Sequence, residues 1–283
     1  MTLSIEIAFV WAAVFIYAGS AILFGIGTVF GRERLLAIGV WAAALGLTSQ
    51  AVAFGVRWVR VGHAPFLGFY EVVSAYAFAT VAATVLVSMW RSQLRPLGSV
   101  LMPLSLLALG ASMLADKTDE VAGGMLSSWW LTVHVSFAKL SYSSFIVAFA
   151  LAVVFLMRGR PSPGRLSQIL AKLPAQDSVD DLSYRFAAVG LIFQSVMIAS
   201  GAIWANESWG RYWGWDPIET WSLVTWLVYS AYLHCRLTLG WRGKKSAWFL
   251  VAALPVMIFT LLVVPIIYNS IHGAYLRGLS SPF

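Results

Sequence analysis

The residues of this chain able to do chemistry are four histidines, His63, His134, His234 and His272, and one tryptophan-dense stretch, WANESWGRYWGWDPIETW at 204–221. The stretch holds Trp204, Trp209, Trp213, Trp215 and Trp221 with Tyr212 among them, and Gly210 and Gly214 free its backbone to turn. Aromatic side chains favour a membrane–water boundary, where the ring is apolar-solvated while the N–H or O–H stays wet. A boundary belt spreads over several helix ends, whereas here the rings crowd one connection. That pattern reads as a platform for a planar apolar ligand. Neutral imidazole is the usual protein ligand for heme iron, so histidines at the depth of such a platform suit a heme.

His134 lies in SWWLTVHVSF, one turn past Trp129 and Trp130, and His272 in VPIIYNSIHGAY. Both are placed at the level of the Trp-rich loop, one at the start of a hydrophobic span and one just beyond the end of another. They are the expected axial pair, with Trp204, Trp209, Tyr212, Trp213 and Trp215 as the shelf. Asp216-Pro217-Ile218-Glu219 has the form of a helix start: an N-cap, a proline at the first helical position, and a glutamate closing a capping box. Asp216 therefore has two readings, cap and ligand contact. His234 follows it by 18 residues, which at 1.5 Å each places it roughly 27 Å away along a helix. It belongs to a second level, where any further iron ligand must come from another protein; a snorkelling interfacial histidine is the alternative. His63, in VGHAPFLGFYE, reads as loop architecture or a wall of the pocket.

The elements that must position these groups are membrane helices. The chain of 283 residues is 60% hydrophobic and 11% charged, with mean hydropathy +0.79. Those values describe an all-α polytopic membrane bundle, one integral domain over 1–283. Eight spans are expected, at about 6–30, 35–56, 70–90, 97–114, 130–157, 184–204, 217–238 and 246–270. The Trp-rich loop, 205–216, joins the sixth and seventh, and 158–183 is a polar connector with a short interfacial helix at 165–173. Lone Cys235 excludes an internal disulfide. The net charge of +7 comes from basic residues between spans, which is the pattern of membrane orientation and not of nucleic-acid binding. Thirteen Arg and Lys fall in one set of loops and five in the other, with Lys139 inside a span. The richer set faces the cytoplasm, so both termini and the Trp-rich loop face outward. No cleavable leader is expected, and no phosphate loop or dinucleotide turn occurs. Arg57, Arg60 and Arg211 are expected to be solvated or to face headgroups, and Lys139 to snorkel outward.

WGRYWGWD at 209–216 resembles the tryptophan-rich WWD signature of the heme-handling proteins of cytochrome c maturation. Its continuation DPIETWSLVTWLVYSAYLH, 216–234, resembles the CcsA (ResC) branch of the System II pathway. The resemblance runs from about residue 60 to the C-terminus. It implies that His134 and His272 bind heme on the outer side, and that His234 helps hold heme on the inner side with a ligand from a CcsB (ResB) partner. The GHAPFLGFYE segment is similar to the family's outer HxP…YE motif, with Gly68 replacing a usual Asn. With no large extramembrane domain, the chain resembles the separate subunit and not the fused form.

The resemblance further implies heme b as cargo, delivered across a bacterial cytoplasmic membrane and presented to an apocytochrome c bearing CxxCH. The chain would then be a subunit of a cytochrome c synthase (heme lyase) complex, served by thiol-reducing proteins of the pathway. Other readings stay open: a System I heme chaperone of the CcmC kind, with fewer spans; a membrane b-type electron-transfer cytochrome, with histidine pairs inside the bilayer; and a secondary transporter, with broken helices or charges at mid-membrane.

Overall fold

The structure is a computed structural model and describes residues 2–63, 68–114, 128–158 and 174–268. Its elements are helices: α1 (Thr2–Phe30), α2 (Glu33–Val61), α3 (Gly68–Trp90), a 3-10 turn (Ser92–Leu97) leading into α4 (Gly98–Met113), α5 (Trp129–Arg158), α6 (Gln176–Trp209), α7 (Pro217–Leu237) and α8 (Lys244–Ile258). A π-helical turn (Phe259–Val263) joins α8 to α9 (Val264–Ile267). No strand forms among the described residues.

Seven of the eight expected spans are long and apolar enough to cross a membrane, counting the 3-10 turn with α4 and the π turn and α9 with α8. The exception is α7, which at 21 residues is about 31 Å long but is less apolar. Its buried residues are Ser222, Thr225, Tyr229, Tyr232 and Arg236. A helix that turns a polar stripe into the bundle lowers its mean hydropathy without losing its length.

Two packed cores share α3. Val10, Ala13, Tyr17 and Phe24 of α1 meet Leu36, Val40 and Ala43 of α2 and Val81 and Val85 of α3 in one. The other joins Phe145, Ala148 and Leu151 of α5 to Ala187 and Met197 of α6, Tyr229 and Tyr232 of α7, and Leu250 and Leu254 of α8. The ring of Phe145 stacks on Tyr229 at 3.5 Å between centroids.

Helix α6 is longer than expected at both ends. Asp177 in its first turn suits the N-terminal dipole, so the helix takes up the last part of the connector. At the other end it runs to Trp209 and stops where Gly210 adopts φ 74°, a left-handed cap that glycine provides without strain. The Trp-rich loop is thereby reduced to 210–216. Residues 159–173 of the connector, including the expected helix at 165–173, lie outside the described residues.

Beyond α8 the helix widens. Pro265 has no N–H to give Leu261, and the π turn sits immediately before it. The Thr260 hydroxyl in this turn lies 2.9 Å from that of Thr225 and 3.2 Å from the Trp221 carbonyl, which ties the widened turn to α7.

Candidate functional site

At the end of the bundle that carries the Trp-rich loop, α3, α5, α6, α7 and the π turn line an open-mouthed cavity of about 170 Å³. Its wall is mostly apolar, as ligand pockets are. Val72 and Tyr76 come from α3, Val135 and Ala138 from α5, Ile198 and Ala202 from α6, and Leu261 and Pro265 from the far side. Tyr76 and Tyr142, stacked at 5.4 Å, line it as well.

His134 lines this cavity from the second turn of α5. Its Nδ1 lies 2.7 Å from the carbonyl oxygen of Met197 on α6. A carbonyl only accepts, so Nδ1 carries the proton and donates it. In the neutral ring the second nitrogen, Nε2, then keeps its lone pair, the form in which imidazole binds a metal. Trp204 lies alongside, its ring 6.4 Å from that of His134 and inclined by 23°. Trp209 meets Trp204 edge-on at 5.0 Å.

The loop that closes the mouth is latched by one carboxylate. Glu219 Oε2 accepts the backbone N–H of Gly214 at 2.8 Å and of Asp216 at 3.1 Å, while the N–H of Ile218 donates to Asp216 Oδ1 at 2.9 Å. This is the expected capping box, with Pro217 at the first helical position. Tyr212 and Trp213 line the cavity, whereas Trp215, at φ 57° and 69% exposed, points its ring outward. Trp213 and Trp215 meet edge-on at 5.8 Å. A second brace comes from Ser128, whose hydroxyl donates to Glu207 Oε2 at 2.7 Å and joins the start of α5 to the end of α6.

The sequence-expected residues thus separate. His134, Trp204, Tyr212 and Trp213 line one cavity. Trp209 backs Trp204 from behind, and Trp215 and Asp216 are not among the lining residues. Asp216 is buried as a cap. His272 lies outside the described residues, as does the 64–67 part of the His63 loop. His63 itself is half-buried just after the Gly62 cap and is not among the lining residues. His234 is exposed on the bundle surface near the opposite end of α7, with Thr238 Oγ1 3.4 Å from its Nδ1.

Three basic residues are not where expected. Arg57, at 3% exposure, is neither solvated nor among headgroups: it pairs with Glu71 of α3 and, at 3.3 Å, with Glu6 of α1. Arg60 reaches the other oxygen of Glu6 at 2.7 Å. Two arginines one helical turn apart on α2 thus straddle a shared carboxylate, and pairing removes the need to reach water. Lys139 does not snorkel; it is buried, its Nζ 3.4 Å from the Val135 carbonyl. Arg211 is exposed as expected and folds across Gly214, where a Cβ would lie 2.8 Å from its guanidinium carbon.

Comparison with known proteins places this architecture. Residues 66–272 match the family model described as cytochrome C assembly protein. The chain is 35% identical over 268 residues to the cytochrome c biogenesis protein CcsA of Synechococcus sp. (strain CC9902), covering 86% of each chain. It is 36% identical over 227 residues to the CcsA of Chlamydomonas reinhardtii, covering 77% of this chain and 63% of that one. Among solved structures, the fold matches the cytochrome c heme lyase CcmF with a TM-score of 0.67 at 17% identity. That likeness covers 98% of this chain and 49% of CcmF, so the chain spans about half of that protein's length.

Proposed function

The chain belongs to the cytochrome c assembly protein family, and on that premise we propose that it carries heme to the cavity under the Trp-rich loop and presents it to apocytochrome c. The observation that carries the reading is His134, which lines a largely apolar cavity and donates its Nδ1–H to the Met197 carbonyl.

In this account His134 supplies one axial ligand and His272 the other, and heme b is the cargo. Trp204, Tyr212 and Trp213 cover the porphyrin and keep water from the iron, while Trp209 supports Trp204. The loop holds the vinyl edge toward the incoming CxxCH segment. Each cysteine S–H then adds across a vinyl double bond, sulfur bonding to the carbon next to the ring and hydrogen to the terminal carbon, so nothing is lost or oxidised. The protein's contribution is orientation and axial ligation. His234, exposed at the other end, belongs to an earlier station completed by a CcsB (ResB)-type subunit. The excess of basic residues in the loops at that end supports a cytoplasmic placement for it, with the Trp-rich loop on the outer side of a bacterial cytoplasmic membrane in this account. Thiol-reducing proteins keep the CxxCH cysteines reactive.

Co-expression with the partner subunit and a reporter cytochrome tests this. Covalently bound heme, read on a denaturing gel by peroxidase staining, is expected with the wild-type chain and lost with His134→Ala. Unchanged covalent heme in His134→Ala would remove the outer site from the mechanism.

A further inference from the structure

The wall of α6 opposite His134 contains a notch. A Cβ built on Gly201 would lie 2.5 Å from His134 Nδ1 and 2.8 Å from its Cε1. Both are well inside the 3.5–4.0 Å at which heavy atoms rest against each other. Gly201 is mid-helix, eight residues before the end of α6, where glycine is unfavourable relative to alanine unless packing requires it. One turn earlier stands Met197, whose carbonyl takes the imidazole proton, and the Ser200 hydroxyl donates to the same carbonyl at 3.1 Å. Gly201 and Met197 thus bracket one edge of the ring: the first makes room for it and the second fixes its proton.

We propose that Gly201 is a positioning residue for His134, a notch in α6 that lets the ring dock on the Met197 carbonyl and so aims Nε2 into the cavity. The inference rests on His134 being an iron ligand for its consequence, though not for its geometry. A methyl group at 201 must push the ring off Met197, and Nε2 swings with it. The same helix ends in Trp204 and Trp209, so ring, platform and loop are registered to one rigid element.

Two measurements on the full chain test this and separate it from the ligation reading. The first is thermal melting of the detergent-purified apoprotein in a double-mutant cycle. Gly201→Ala is expected to lower the Tm by several degrees in the wild-type background, and to be neutral or stabilising in His134→Ala, where the ring it strikes is gone. An equal loss in both backgrounds, or none in either, would overturn the notch. The second is the visible spectrum after heme loading. Gly201→Ala is expected to shift iron from low spin toward high spin, with added imidazole restoring low spin. If His134→Ala loses the low-spin spectrum while Gly201→Ala keeps it, the ligand stands and the positioning role fails. If His134→Ala keeps it, the ligation reading is what fails, and the melting cycle alone decides the notch.

Discussion

His134 Nδ1 and the Met197 carbonyl, 2.7 Å apart on neighbouring helices, hold in place the ring of the one histidine that lines the cavity among the described residues. A hydrogen bond to the distal nitrogen makes the other nitrogen a better and better-aimed ligand. The bond also crosses the α5–α6 interface, so the orientation of the ring depends on how those helices pack.

Trp204 is the platform residue most exposed to test. It is 3% accessible and touches both His134 and Trp209. Trp204→Ala is expected to cost about 3–5 kcal/mol of stability, as large aromatic-to-alanine changes in packed sites do. Trp204→Phe keeps a flat apolar face and should retain most of the stability and heme. Denaturant titration of each variant in the same detergent, followed by pyridine hemochrome quantitation, checks both.

The loop latch predicts a local effect with little global cost. Glu219→Ala strips the acceptor from two backbone N–H groups, Gly214 and Asp216, at about 1–3 kcal/mol for the groups left unpaired. Asp216→Ala removes only the Ile218 partner, at about 1 kcal/mol for a lost N-cap. Amide exchange across 210–216 should rise more in Glu219→Ala than in Asp216→Ala, with α5 unchanged in both. Equal exchange would mean the loop is held by its aromatic contacts instead.

The buried cluster of Glu6, Arg57, Arg60 and Glu71 predicts a strong asymmetry between single and paired changes. Glu71→Ala leaves Arg57 without one of its two carboxylates and is expected to cost about 3–5 kcal/mol. Replacing both, as Arg57→Met with Glu71→Leu, should be milder than Glu71→Ala, because the Arg57–Glu71 pair leaves together and Glu6 keeps Arg60. Melting of the singles and the double decides it. A purely additive loss would show that the residues act through packing alone.

The helices were legible because each span is a run of apolar residues broken by Arg-rich or Gly-containing turns, and their ends fall within five residues of expectation except at the start of α6. That helix ran on because nothing in QDSVDD or NESW stops one; the stop signal is Gly210. The capping box was legible because its chemistry is local. The histidine–carbonyl bond was not, since it joins residues 63 apart in sequence through a backbone atom that no side-chain pattern marks. Nor was the pairing of Glu6 with Arg57 and Arg60, about 50 residues away, because both arginines fall just past the apolar run of the second span and read as loop residues. Trp209, Trp213 and Trp215 look equivalent in sequence. The backbone turns one into the cavity, one behind the platform and one outward.

The central claim is that His134 and His272 together bind heme iron, and the visible spectrum of the heme-loaded, detergent-purified chain tests it most directly. Wild type should give a six-coordinate low-spin spectrum, and His134→Ala/His272→Ala a high-spin or heme-free one that added imidazole returns to low spin. An unchanged low-spin spectrum in the double variant would contradict the account and move the iron to another site, with His234 the first residue to examine.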